Sequence, residues 1–289
     1  MLPDLPATAY PSTQPSPAGP VGIFDSGVGG LSILQHVNAL MPAQEVLYFA
    51  DAGFAPYGEK PEQEIVDRAL HIARFLLAQG AKSLVVACNT ATVAAIAVLR
   101  QHYPQLPVVG VEPGLKPAAV CSQNKVIGVM ATDRTLNGDK FIRLQQEIEA
   151  SHQVKFLLQA CTGLAYQIEL GELTTPATQA MLERYITPLL QQGADTLVLG
   201  CTHYPFVRPQ IEQLIARHAT QAVTLIDTGA AVARQLQRLL LLQGLPQGQT
   251  QQAGAPLLRG YTNGEPAALQ LAFAQLLNLN PPVVNVSGI

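Results

Sequence analysis

Apolar positions along this chain fall into two alternating rhythms. Short continuous apolar runs rich in branched residues read as buried strands, and longer stretches with apolar positions three or four apart read as amphipathic helices. The first strand-like runs are VGIFD (21–25), EVLYFAD (45–51), SLVVAC (83–88) and VVGVE (108–112). Between them, EQEIVDRALHIARFLLAQG has helical spacing and ends on a glycine suited to close a helix. The rhythm then restarts with KVIGVMAT (125–132), a counterpart of VGIFDS, and continues through the helical KFIRLQQEIEA and the strand QVKFLLQAC. A helix in PATQAMLERYITPLLQQG leads into the strand ADTLVLGC, and a strand in VTLIDTG is followed by the helix AAVARQLQRLLLLQG. A Gln/Gly/Pro-rich loop over 243–256 and a last helix within NGEPAALQLAFAQLLN complete the series. Such alternation predicts an α/β fold built on mainly parallel sheets.

The restart is a repeat. QGADTLVLGCTH (192–203) matches QGAKSLVVACNT (79–90) at six of twelve positions, and the two apolar runs end on Cys201 and Cys88. The expected architecture is two pseudo-symmetric, doubly wound domains with the active site in the cleft between them. Functional groups in such sheets gather at the carboxyl ends of strands, where Asp25, Cys88, Thr132 and Cys201 fall. Halves facing each other about a pseudo-twofold axis bring the two thiols to one ligand from opposite sides.

That arrangement suits a reaction whose substrate and product are mirror images: one group takes a proton from one face of a carbon and the other delivers one to the opposite face. Each cysteine precedes a helical pattern, whose unpaired N–H groups favour a thiolate. Ser26, Asn89, Thr90 and Thr202 supply neutral hydrogen-bonding groups for a carboxylate or ammonium. His203, two residues beyond Cys201, is placed to orient that thiol or exchange a proton with it. Tyr57 and Gly58, in the turn APYGEK, offer side-chain and main-chain donors that could close over a ligand. VGIFDSGVGGLSIL, followed by a strand ending in Asp51, has the outline of a dinucleotide site, but Ser32 replaces the third glycine of that fingerprint. Such a site would also leave the cysteine pair unexplained.

Composition narrows the classes further. With 289 residues, 48% hydrophobic and 13% charged, the chain is large enough for two cored domains. Its net charge of -3 provides no footprint for nucleic acid, and no apolar run has the length of a membrane helix. Residues 1–20 lack the basic and apolar regions of a secretory signal and read as a flexible Pro-rich leader. The expected location is the cytoplasm, with the four cysteines reduced and Cys121 and Cys161 structural. No cysteine or histidine spacing suggests a metal, no lysine occupies a distinctive Schiff-base motif, and no cofactor is expected.

Taken in order, GIFDSGVGG, PYGEK, ACNTATV and GCTHYPF closely resemble the cofactor-independent glutamate racemases, within the aspartate/glutamate racemase superfamily, over about residues 21–276. The resemblance implies interconversion of L- and D-glutamate, with the D-isomer destined for peptidoglycan. It implies that Cys88 and Cys201 are the acid/base thiols, Asp25 assisting Cys88 and His203 with a glutamate assisting Cys201. That glutamate corresponds to Glu169, at the end of CTGLAYQIE; the segment lacks the family's prolines, and Glu172 stands as the alternative. Asp25, Ser26, Tyr57, Gly58, Asn89, Thr90, Thr202 and His203 match substrate-contact positions. The implied domains are 21–117 with 228–280, and 118–227, with 281–289 as a tail. A muramyl-peptide precursor is an implied activator, and the chain would act as a monomer or homodimer. Aspartate or hydantoin racemisation is the nearest alternative activity, and DNA gyrase binding is a separate role reported for some members.

Overall fold

The computed structural model describes residues 19–245, 257–286 and 288. Among these residues, ten strands form two wholly parallel sheets: β1 (Val21–Asp25), β2 (Val46–Ala50), β3 (Ser83–Val86), β4 (Val108–Gly110), β5 (Val126–Ala131), β6 (Lys155–Ala160), β7 (Thr196–Leu199), β8 (Thr224–Ile226), β9 (Leu258–Thr262) and β10 (Val283–Asn285). The first sheet has the order β10-β9-β2-β1-β3-β4 and the second β6-β5-β7-β8. Four strands in each therefore follow the same path, with β1, β2, β3 and β4 equivalent to β5, β6, β7 and β8.

Alternating side chains bury both faces of each sheet. In the first, Phe24, Leu47, Phe49, Leu84 and Val86 join one apolar cluster, while Val21, Ile23, Val46, Tyr48 and Val85 join the other. In the second, Met130, Leu197 and Leu199 face one layer, and Ile127, Val129 and Val198 the opposite layer. Burial on both sides is why these strands read as continuous apolar runs rather than as alternating ones.

The shared QGA of the repeated stretches closes a helix in each half. Helix Glu62–Ala78 ends with Gly80 at φ +91°, and helix Pro176–Gln191 with Gly193 at φ +87°. In both, the glycine N–H and that of the following alanine return to the last turn: Gly80 to Leu77 and Ala81 to Leu76, Gly193 to Leu190 and Ala194 to Leu189. A left-handed residue is required to turn the chain this way, and glycine adopts it without a Cβ penalty.

Two segments depart from the sequence expectation. Leu258–Thr262 is the strand β9, unforeseen after the polar loop, because Arg259 and Gly260 interrupt its apolar pattern. Residues 281–289, expected as a tail, contain β10, which pairs with β9 through Val283–Gly260, Val284–Tyr261 and Asn285–Thr262. Only three residues long, it carries too little pattern to be recognised. Of the expected leader, 1–18 lie outside the described residues, and Pro20 is buried and accepts the Lys82 N–H at 2.8 Å. Residues 246–256 of the Gln/Gly/Pro-rich loop also lie outside them. No helix among the described residues is long and apolar enough to cross a membrane.

Candidate active site

In each sheet the strand order reverses beside its central strand, so the loops leaving β1 and β3, and those leaving β5 and β7, diverge and open a crevice. Asp25 ends β1; Cys88 follows β3; Thr132 follows β5; Cys201 follows β7. The two crevices are joined by side chains and loops from both sheets.

On the first side, Cys88 caps helix Asn89–His102, its Sγ accepting the Ala91 N–H at 3.5 Å. The Ser26 hydroxyl is 3.6 Å from the same sulfur. Asp25 is wholly buried and accepts main-chain N–H groups from Gly27 at 3.3 Å and Gly30 at 2.8 Å. The expectation that a helix N-terminus brings this thiol near neutrality is reversed here. Burial, followed by the Asp25 charge, pushes Cys88 up to about 12 against the smaller lowering by the Ala91 N–H. Asp25 is itself raised, by burial first, with His203 and the Gly30 N–H opposing.

The second side is built differently. No helix starts directly after Cys201: the chain makes a 3-10 turn over Tyr204–Val207, and helix Arg208–His218 begins only with Pro209 in its first turn. Proline fixes φ and lacks the N–H, which suits that first-turn position. Cys201 Sγ instead lies 3.6 Å from His203 Nδ1, and His203 Nε2 lies 2.7 Å from Glu169 Oε2. Burial alone would lower His203, but hydrogen bonding to Cys201 and Glu169, with their charges, holds it well above its ordinary value. Burial would raise Glu169, yet the His203 contact and charge and the Val28 N–H together hold its carboxyl below the ordinary range. Glu172 is directed elsewhere, paired with Gln167.

The glycine-rich turn after β1 belongs to both sides. Its N–H groups at Gly27 and Gly30 go to Asp25, and that of Val28 goes to Glu169 Oε1 and Oε2 at 3.2 and 3.0 Å. A Cβ on Gly27 would overlap the Glu169 carboxylate, and one on Gly29 the His203 ring. Ser32 Oγ lies 2.8 Å from the Gly29 carbonyl and 2.7 Å from the Thr202 carbonyl, its one proton shared between them. The turn thus cradles the protein's own carboxylates where a dinucleotide site would cradle phosphate.

Asn89 and Thr90 are buried at the start of the Cys88 helix. Asn89 Nδ2 donates to the Val111 carbonyl at 3.4 Å, while its buried Oδ1 has no partner among the described residues. Thr90 Oγ1 is 3.3 Å from Thr132 Oγ1, a contact between the two halves. Thr132 was visible in sequence only as a strand-end position; its equivalence to Ser26, each following a central strand, is the signal that singles it out.

Tyr57 departs from its expected role. Its hydroxyl donates to Asp51 Oδ2 at 2.6 Å rather than into the cleft. Asp51, wholly buried, also accepts from Arg68 and from Asn263 Nδ2 at 2.6 Å, so it is equally unavailable to a ribose. Gly58 is exposed, with open space where a side chain would project. All four cysteines are free; Cys161 is buried as expected, whereas Cys121 is exposed. No group of His, Cys, Asp and Glu among the described residues could hold a metal ion.

Two buried thiols thus follow equivalent strands, one near a buried carboxylate and the other beside a carboxylate-bound imidazole, and the chain belongs to the Asp/Glu/hydantoin racemase family, whose pattern matches residues 30–236. Among its relatives, the glutamate racemase of Ectopseudomonas mendocina is 50% identical over 258 residues, covering 89% of this chain and 94% of that protein. That of Pseudomonas aeruginosa is 52% identical over 225 residues, 78% of this chain and 83% of the relative. Among solved structures, Francisella tularensis glutamate racemase in complex with D-glutamate has a TM-score of 0.79 at 26% identity, covering 94% of this chain and 98% of its own. Escherichia coli glutamate racemase, in complex with L-glutamate and the activator UDP-MurNAc-Ala, has a TM-score of 0.77 at 28% identity, covering 92% and 97%.

Proposed function

We infer that the chain interconverts L- and D-glutamate by transferring protons between the glutamate Cα and two thiols, Cys88 and Cys201. The observation that carries this reading is the pair itself: both sulfurs are buried, and they follow equivalent strands of different sheets whose loops meet at Thr90 and Thr132 and at Val28 and Glu169. In one direction a thiolate removes the Cα proton, leaving a carbanion and a thiol. The opposite thiol protonates the other face and becomes a thiolate. The reverse direction exchanges the roles.

The supporting groups divide by side. His203, raised well above its ordinary value by hydrogen bonding to Cys201 and to Glu169, holds a proton beside Cys201 and exchanges it with that sulfur as the reaction turns over. Cys88, raised by burial and Asp25, rests as a thiol. The ammonium of a bound amino acid opposes both causes and lowers that barrier to ionisation. Asn89 Oδ1 is an acceptor suited to the ammonium, with Ser26, Thr90 and Thr202 for the carboxylates and Gly58 contributing main chain. We assign residues 21–117 with 228–280, extended by β10, to one domain and 118–227 to the other. The product serves peptidoglycan synthesis in the cytoplasm, and a uridine-linked muramyl precursor, the activator held by the E. coli neighbour, is the effector to add.

Racemisation in D₂O is the direct test: deuterium should enter Cα of the product, with L-glutamate and D-glutamate turned over and L-aspartate and hydantoins not. Turnover of L-aspartate in preference to glutamate would overturn the substrate assignment. Parallel assays with the muramyl precursor read activation, and higher kcat/KM in its presence is the expected result.

A further inference from the structure

Tyr48 lies at the centre of β2, wholly buried, on the sheet that presents Cys88. Its hydroxyl donates to the Gly27 carbonyl at 2.9 Å. That carbonyl shares a planar trans peptide unit with the Val28 N–H, the group that holds Glu169 at 3.2 and 3.0 Å. Glu169 in turn reaches His203 at 2.7 Å, and His203 lies 3.6 Å from Cys201 Sγ. One rigid plane therefore joins a hydroxyl in the Cys88 half to the groups that support the thiol of the other half.

We propose that Tyr48 is a positioning residue for the Cys201 side of the site, setting the Gly27–Val28 peptide so that Glu169, and through it His203, is fixed. The proposal rests on the racemase reading of the site. Three further features support it. The Tyr48 hydroxyl has a fixed acceptor while its ring meets apolar packing there, an edge contact with Phe273 with centroids 5.7 Å apart at 74°. The turn is clamped from both sides, since a Cβ on Gly27 would overlap Glu169 and one on Gly30 would come within 3.0 Å of the Tyr48 hydroxyl. Burial, reinforced by the charges of Asp25, Glu169 and Cys88, pushes the phenol well above its ordinary value and keeps it a donor.

The test is Tyr48→Phe, which keeps the ring and removes only the donor. The groups facing His203 are Glu169, Cys201 and, through space, Asp25. Loosening Glu169 removes part of what holds the imidazole cationic, so the His203 titration, followed by NMR in the free protein, should shift to lower pH. The His203 limb of the kcat/KM profile for glutamate should shift with it, and kcat should fall about 10- to 100-fold, the loss that a displaced reacting group commands. An unchanged His203 midpoint would overturn the proposal. Phe273→Leu loosens the same ring but keeps the hydroxyl, and is expected to leave the midpoint in place; an equal shift there would reduce Tyr48 to packing and also overturn it. If Tyr48→Phe does not fold, Gly27→Ala pushes Glu169 directly and should move the midpoint the same way, and failure to do so counts against the relay. Wild-type protein that does not racemise glutamate would overturn the functional reading, while the His203 titration still decides the relay.

Discussion

Cys88 and Cys201 follow equivalent strands, after equivalent helices closed by equivalent glycines, yet the groups around them differ. Cys88 has a helix N-terminus, a hydroxyl and a raised, buried Asp25. Cys201 lacks the helix and has instead an imidazole raised well above its ordinary value by hydrogen bonding to that thiol and to Glu169. The backbone repeat gives both thiols the same place beyond the end of a strand, and the groups packed around each one differ. Symmetry of fold here serves symmetry of position, and the chemistry on the two faces is tuned separately.

The largest effects break the comparison outright. Replacing either thiol, Cys88→Ala or Cys201→Ala, should lower kcat by about 10²- to 10⁴-fold, the contribution of a positioned acid or base, as read by chiral chromatography of the product. Full turnover by either single variant would show that one thiol suffices and sink the two-base mechanism.

A smaller contrast separates the two carboxylates by their effect on stability. Glu169 is lowered from 4.5, so its stabilisation is present above that value and is lost as pH falls through its folded pKa. His203 is raised from 6.5, so its share is full below 6.5 and is lost as pH rises through its folded pKa. Glu169→Gln should therefore cost most between these limits, about 1–3 kcal/mol for a charge-assisted bond, visible as a lower Tm near pH 6. Asp25 is raised from 3.8, so ionising it costs native stability at neutral pH. Asp25→Asn keeps an acceptor for Gly27 and Gly30 and should leave Tm at pH 7 unchanged or higher, the difference closing below pH 3.8. Equal losses in the two variants would erase the electrostatic distinction between the sides.

The smallest effects test where the halves are the same. Gly80→Ala and Gly193→Ala each force a Cβ into a left-handed turn and should each cost about 1–2 kcal/mol in denaturant unfolding. Unequal costs would show that the two helix closures are not equivalent.

How much of this was legible in the sequence follows from the range over which each signal acts. The repeat, the strand ends and the helix-closing glycines are local, and the pattern QGA…C exposes all of them. Glu169 was reachable by its place in a segment even without the usual prolines, and its contact with His203 distinguishes it from Glu172. What local pattern could not show was where long-range partners lie. Tyr57 looked like a donor for a ligand because nothing in APYGEK reveals that its proton goes to Asp51. The helical pattern after Cys201 hid the 3-10 turn over Tyr204–Val207 that withholds the helix N-terminus from that thiol. Strands β9 and β10 are recognisable only by their neighbours.

The Asp51 cluster has a consequence for the order in which the molecule is made. The second sheet is complete once residue 226 has emerged during synthesis, because all four of its strands lie within 126–226. The first sheet must wait: Asp51 and Arg68 are translated early, but Asn263 and β9, which finish the buried ion cluster and pair with β2, arrive some two hundred residues later. Where chains fold by units as they emerge, the second sheet is expected to close while the first still waits for β9.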